Sequence, residues 1–328
     1  MTTAVSDDAV SDDTVPVDTV GRLVAALSTR LPSESEARWI VAEVADIAPR
    51  DLLSAFGAPV SEATVGAARA MAERRVAGEP LQYVLGSWSF RRLEVTVDPR
   101  ALVPRPETEQ VVGVALEELR RLRCETDRGA GPVVAVDLGT GSGVIALSLA
   151  LEGSGPEAGG SQMCTAIATS ETDIEVWATD SSPPALELAR VNLSRLAGPH
   201  PAAAARIRLA EGSWFDALPR RLVDRLHLVV SNPPYVSAAE WSALDPEVRE
   251  HEPRSALVPG ETGLEALAEL IVEARRWLVP GGGLVLELAP HQSASVTAMA
   301  EKAGYLDVGL RPDLGGRARV LVARWPGA

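Results

Sequence analysis

The chain has 328 residues, 46% hydrophobic and 23% charged, with a formal net charge of −14. That length and balance suit a soluble globular protein with a sizeable core and two domains. The acidic charge argues against a duplex nucleic-acid partner, which draws a basic face to its phosphates, and suits a basic protein partner. No run approaches roughly 18 uninterrupted apolar residues, so no transmembrane helix is expected. The N-terminus lacks the basic start and apolar run of a signal peptide. Cys124 and Cys164 make no disulfide framework, which points to a reducing, cytoplasmic setting. Four scattered histidines show no ligand spacing, so no metal is expected. The basic clusters Arg120, Arg121, Arg123 and Arg220, Arg221, Arg225 read as solvated helix faces.

Residues 1–16 repeat "AVSDD" and lack large apolar groups, which predicts a disordered acidic tail. Residues 17–85 are helical in pattern. Val20, Leu23, Val24, Leu27 and Leu31 recur at helical spacing. Ser33 with Glu36 forms a capping-box signature, and a further Ala-rich helix closes at Gly78. Residues 86–106 switch to period two at Leu93, Val95 and Val97, with a turn at Asp98-Pro99, and predict a β-hairpin linker between domains. "PRPETEQVVGVALEELRRL" then opens a helix with Pro and Glu at its start. Within 107–328, "VVAVDLG", "IEVWATD", "LHLVVSN" and "GGLVLELA" are short apolar, β-branched runs separated by helical or loop segments. The fold class this predicts is a doubly wound, Rossmann-like α/β domain, with ligands at the carboxyl ends of its parallel strands.

The first such strand leads into "DLGTGSG". Gly139, Gly141 and Gly143, with Thr140 and Ser142 between them, let the backbone pass close to a ligand. A dinucleotide fingerprint is G-x-G-x-x-G, and here the third glycine comes one residue early. Asp137, just before the loop, would repel a pyrophosphate but suits the cationic amino-acid part of S-adenosyl-L-methionine. Asp180 ends the second strand, where a carboxylate can accept from both ribose hydroxyls; an ordinary helix cap is the alternative. It lies further along than the ~20 residues the fingerprint expects. The excess falls in 153–172, a Gly/Ser/Thr-rich stretch read as a flexible insertion. Trp214 offers a flat surface for an adenine, while Phe215 reads as core. "SNPPY" follows the next strand.

On "DLGTGSG", "ATD", "GSWFD" and "VVSNPPYV", with "GEPLQYVLGSWSF" and "LVPRPETE" upstream, the chain resembles the PrmC/HemK family. These are S-adenosylmethionine-dependent N5-glutamine methyltransferases of class I peptide chain release factors. The resemblance spans about residues 17–325 apart from the insertion. It implies a class I methyltransferase domain with a small N-terminal helical bundle that docks the partner. It further implies transfer of a methyl group to the glutamine of a Gly-Gly-Gln motif, by a cytoplasmic monomer. The donor-site residues carry over onto Gly139 to Gly143, Asp180, Trp214 and Asn232, and the glutamine-binding ones onto Asn232, Pro233, Pro234 and Tyr235. Ser213 departs from the acid common before the aromatic. The Asn-Pro-Pro-Tyr motif is shared with adenine-N6 and rRNA amino methyltransferases, which stay open as alternatives on that motif alone. A sister family acting on a ribosomal protein departs after the arginine of "PRPETE", whereas Pro106, Glu107 and Thr108 follow the release-factor version.

An amide nitrogen is a poor nucleophile. It needs its N–H groups held so that it faces the methyl group, by acceptors whose attraction grows as positive charge develops. The Asn232 side-chain oxygen and the Pro233 carbonyl are the expected acceptors, on a loop stiffened by proline. Tyr235 offers a face to the planar amide or to the sulfonium. Arg105 and Glu107 read as a lid over the donor. Glu287 and His291 read as pocket-lining or as solvated loop residues, and Arg254 as substrate-positioning or structurally paired.

Overall fold

The computed structural model describes residues 18–125, 131–153 and 174–327. The expected tail, all but Gly153 of the expected insertion, and Cys164 lie outside them. The chain divides into two compact units at Leu85/Gly86.

The first unit contains α1 (Val20–Ser28), α2 (Glu34–Val44), α3 (Glu62–Val76) and α4 (Leu81–Leu85). Val20, Leu23, Val24 and Leu27 form the apolar stripe of α1 and pack with Ile40 and Val41 of α2 and Ala68 and Ala72 of α3. The two alanines are fully buried, and their small side chains let the helix backbones approach closely. Leu31 is buried in the turn after α1 rather than on it. The Ser33 hydroxyl caps α2, accepting from the Glu36 N–H at 3.2 Å. The reciprocal half of the expected capping box is absent. The Glu36 carboxylate instead accepts from Arg75 Nε on α3 at 2.7 Å, a long-range ion pair that outcompetes a local bond. Gly78 ends α3 at φ +98°, the left-handed conformation glycine adopts cheaply.

The second unit opens with the hairpin β1 (Ser87–Phe90) and β2 (Leu93–Thr96), whose residues pair Ser87 to Thr96 through Phe90 to Leu93. Then come α5 (Pro106–Glu125), β3 (Val133–Leu138), α6 (Val144–Glu152), β4 (Ile174–Asp180), α7 (Pro183–Ala197), α8 (Pro201–Ala204), β5 (Ile207–Glu211) and β6 (Leu226–Ser231). The chain continues through α9 (Ala238–Trp241), α10 (Pro246–His251), α11 (Glu265–Ala274), β7 (Leu278–Glu287), α12 (Ser293–Lys302), β8 (Leu306–Pro312) and β9 (Ala318–Arg324). The sheet order is β5-β4-β3-β6-β7-β9-β8. From β5 to β7 all pairings are parallel, whereas β9 runs antiparallel to both neighbours. The four apolar runs are thus strands of one doubly wound sheet. The antiparallel edge, β8 and β9, lies beyond the sequence expectations, because neither the exposed "LDVGLRP" nor the continuously buried "VLVA" of β9 carries a clear alternation. Every residue of β3 is buried, as a strand covered on both faces requires.

The winding reverses at β3: β4 and β5 lie on one side, β6 and β7 on the other. The carboxyl ends of β3, β4 and β6 therefore flank the crevice where such sheets place ligands. Ser231, the last residue of β6, donates its hydroxyl to the Leu138 carbonyl of β3 at 2.6 Å and fixes the two strand ends together. Among the described residues, no helix is long and apolar enough to cross a membrane.

Candidate active site

The loop after β3 turns three times through positive φ, at Gly139 (+70°), Gly141 (+56°) and Gly143 (+90°). A Cβ on Gly139 would stand 3.2 Å from the Trp214 ring, so this glycine is required both by backbone and by space. Gly139, Thr140, Gly141 and Ser142 line one cavity together with Asp180, Trp214, Asn232 and Pro234. Gly143 does not line it: as the N-cap of α6 it closes the loop against Ala189 of α7. Asn192, buried on α7, holds the loop from behind. Its Nδ2 donates to the Ser142 carbonyl at 2.9 Å and to the Thr96 carbonyl at 3.1 Å, while its Oδ1 accepts from the Thr96 N–H. The hairpin is thereby tied to the glycine loop, a link no local motif announces.

Asp137 does not line the cavity either. It is fully buried beneath the loop, with Oδ2 accepting from the Thr140 hydroxyl at 2.5 Å and from the Ala146 N–H of α6 at 3.1 Å. Its Oδ1 has no hydrogen-bond partner among the described residues. The place in the cavity read from the sequence is replaced by a position beneath the glycine loop. Burial pushes the Asp137 carboxyl up to about 7, against the two hydrogen bonds that lower it and with the nearby Asp180 charge adding to the rise. A folded-state value above the ordinary one means the native state binds the proton more tightly. The stability this supplies is complete below the unfolded value and is lost as pH rises through about 7. Asp137→Asn is therefore expected to unfold at higher denaturant than the wild type at pH 8, by on the order of 2 kcal/mol, with little difference at pH 4. Urea titrations at both pH values check this; equal displacements at the two would contradict it.

Asp180 ends β4 with Oδ2 accepting from the Gly141 N–H and Oδ1 from the Ser182 N–H, each at 2.9 Å. Burial raises its carboxyl above the usual range, opposed by these backbone donors. It is not the helix cap; Ser182 caps α7, accepting from the Ala185 N–H. Trp214 adopts φ +43°, uncommon for an aromatic and the kind of strain that gathers at sites. Phe215 is core, stacked on Trp277 with centroids 5.6 Å apart. Ser213 also lines the cavity.

The opposite wall is formed by residues 100–105 and by Pro253, Ser255 and Ala256. Of the two residues read as a lid, Arg105 does join this wall, paired with Glu252, and Glu107 does not. Arg105 Nη2 pairs with Glu252 Oε1, and Glu252 Oε2 accepts from the Val103 N–H at 3.3 Å. Glu107 lies instead near Arg317 and Arg319. Arg254 sits over the Trp241 ring at 5.5 Å, a structural cation–π contact. His291 is exposed beside Glu240. The basic clusters are partly engaged: Arg121 donates to Glu118 and the Gly281 carbonyl, and Arg221 lies over Trp177.

Asn232 follows β6 directly. Its Nδ2 donates to the Thr108 hydroxyl at 3.1 Å, and Thr108 donates to Glu287 Oε2 at 2.8 Å. Tyr235 donates its hydroxyl to Glu287 Oε1 at 3.2 Å. Pro233 is buried, Pro234 faces the cavity, and the half-buried Tyr235 ring packs against the core rather than lining the cavity. Glu287 is fully buried at the end of β7, neither pocket-lining nor a solvated loop residue. Burial pushes its carboxyl up to about 7, opposed by the Thr108 and Tyr235 hydroxyls. Burial also raises the Tyr235 phenol, with the Glu287 charge adding to it, so Tyr235 stays a donor.

A family profile described as the PrmC N-terminal domain matches residues 22–86. Over 255 residues the chain is 42% identical to a release factor glutamine methyltransferase of Deinococcus radiodurans, covering 78% of each protein. It is 35% identical over 292 residues to the protein of that name in Burkholderia pseudomallei, covering 89% of this chain and 92% of that one. The Salmonella typhimurium protein of that name is 36% identical over 277 residues, covering 84% of this chain and 87% of its own. With identity of that order sustained across most of both partners in each comparison, the chain belongs to the release factor glutamine methyltransferase family.

Proposed function

We propose that this protein transfers a methyl group from S-adenosyl-L-methionine to the side-chain amide nitrogen of the glutamine in the Gly-Gly-Gln motif of a class I release factor. One observation carries the reading. Asn232 stands at the cavity with its nitrogen turned into the protein, and its oxygen has no hydrogen-bond donor among the described residues. An acceptor so presented suits the N–H of a planar amide.

The cavity fits the donor. The glycine turns admit close approach, and Trp214 over Gly139 gives a flat surface for an adenine. The Asp180 carboxylate keeps accepting capacity beyond its backbone donors, which suits a ribose hydroxyl. A cationic ligand above the loop would favour the ionised form of the buried Asp137, whose orphaned oxygen would then attract it. When bound, S-adenosyl-L-methionine supplies an electrophilic methyl group on a sulfonium. The chain itself orients and stabilises. Asn232 Oδ1 and the Pro233 carbonyl accept from the substrate amide, and their attraction strengthens as the nitrogen turns positive. Prolines at 233 and 234 stiffen the loop that holds them. The helical unit, which exposes Trp39, Leu53 and Val76, is the docking part for the release factor. The protein acts in the cytoplasm as a monomer.

The test is methyl transfer from labelled donor to purified release factor, to its Gln→Ala variant, and to DNA and rRNA. Label on wild-type release factor alone is expected. Label on nucleic acid but not on release factor would overturn the reading.

A further inference from the structure

An asparagine amide can present its oxygen or its nitrogen to a cavity with almost no change in shape. Only its neighbours decide which. Here the neighbour is the Thr108 hydroxyl, which can donate one hydrogen bond and accept others. The Thr108 proton is already directed to Glu287 Oε2 at 2.8 Å. Above about pH 7 the Glu287 carboxylate is ionised and accepts only, so Thr108 must donate to it, and what remains on the Thr108 oxygen can only accept. That oxygen therefore meets the Asn232 nitrogen, as observed at 3.1 Å, and not the Asn232 oxygen. The second Glu287 oxygen repeats the logic at the other end of the turn, accepting from Tyr235.

Glu287 is an expensive residue to keep in this place. It is fully buried, and among the described residues it makes no ion pair. A buried carboxylate satisfied only by two hydroxyls costs stability relative to a neutral side chain. An apolar residue could fill the end of β7; it could not impose a direction on a hydrogen-bonded chain. Thr108 comes from α5 and Glu287 from β7, so two elements outside the turn converge on it.

We propose that Thr108 and Glu287 are positioning residues for methyl transfer: the hydrogen-bond chain Asn232–Thr108–Glu287 sets the polarity of the Asn232 amide, so that its oxygen faces the substrate nitrogen. This rests on the function proposed above. Neither residue takes a proton from the substrate; both act through Asn232.

Thr108→Val keeps the shape and removes both hydrogen bonds, leaving the Asn232 amide free to turn. Its kcat on release factor is expected to fall by about 10–100-fold, with KM and donor Kd within about threefold of wild type. Thr108→Ser restores the hydroxyl and is expected to recover kcat to within about threefold. In Glu287→Leu the acceptor for both hydroxyls is gone, so the Thr108 proton is no longer directed away from Asn232; kcat is expected to fall more than about threefold with donor binding retained. That variant also serves if Thr108→Val fails to fold, as judged by its thermal transition. Wild-type kcat in a folded Thr108→Val, or in Glu287→Leu, overturns the inference. So does equal impairment of Thr108→Val and Thr108→Ser, which would assign the loss to packing. Failure of the wild type itself to label release factor would instead sink the proposed function and is read separately.

Discussion

Asn232→Ala is expected to lower kcat for release factor by about 10²–10³-fold, the loss typical of one preorganised group aimed at developing charge. The damage stays local. Thr108 keeps its bond to Glu287, Ser231 still ties β6 to β3, and the prolines still stiffen the turn. What disappears is the acceptor for the substrate N–H, and with it part of the alignment of a weak nucleophile. Asn232 also lines the cavity, so donor affinity should weaken, but only by the worth of a single neutral hydrogen bond, under about tenfold. The separation of a large kcat effect from a small binding effect is the diagnostic feature. Single-turnover transfer with saturating donor, beside calorimetric donor binding, measures both. Turnover within about threefold of wild type would mean that Asn232 is not the acceptor.

The glycine loop, Asp180 and Asn232 were legible in the sequence because each chemical requirement is local. A positive φ needs glycine, and strand ends at a switch point collect ligand groups. The fold was legible for a similar reason: the four apolar runs and the helical stripes carry their periods within short windows. Partners distant in the chain were not. Thr108 and Glu287 are 179 positions apart, Arg105 and Glu252 are 147 apart, and nothing in either neighbourhood marks the other. Asp137 shows the limit at closer range. Its place just before the loop is plain, but whether it points into the cavity or beneath it depends on strand pleat and on α6, whose Ala146 N–H it accepts. Glu36 shows the same competition inside the helical unit, where a pairing with Arg75 replaces half of a capping box.

The distant partners share a purpose: each holds a loop that the sequence motifs leave unsupported. Asn192 holds the glycine loop, Glu252 holds the wall bearing Arg105, and Gln292 holds the turn after Asn232. The Gln292 Nε2 donates to the Tyr235 carbonyl at 2.9 Å and to the Gly263 carbonyl at 3.0 Å, and its Oε1 accepts from the Ala289 N–H. Under the proposed function the motif residues do the chemistry, and these three fix where it happens. A site assembled from the ends of β3, β4 and β6 requires such bracing, since an error of about 1 Å in placement can cost 10²-fold in rate.

That bracing makes Gly263→Ala the most damaging small substitution expected outside the motifs. Gly263 has φ +77°, and a Cβ there would lie 2.5 Å from the Tyr235 carbonyl oxygen, 3.0 Å from the Ser237 nitrogen and 3.1 Å from Gln292 Nε2. The first two are backbone atoms that cannot swing aside as a side chain does. The left-handed conformation adds its own cost for alanine. Together these should destabilise the protein by roughly 2–5 kcal/mol and displace the Asn-Pro-Pro-Tyr turn, with kcat falling about 10²-fold even at temperatures where the variant is folded. Gly66→Ala is the matched control. Gly66 lies within α3 with nothing within 4 Å of its would-be Cβ, so alanine there is expected to leave turnover unchanged and add about 0.5–1 kcal/mol of stability. Thermal transitions and transfer rates of the two variants decide the matter. If Gly263→Ala melts and turns over like the wild type, the turn is not held by Gly263 and Gln292, and the placement of Asn232 must be secured from the Thr108 side alone.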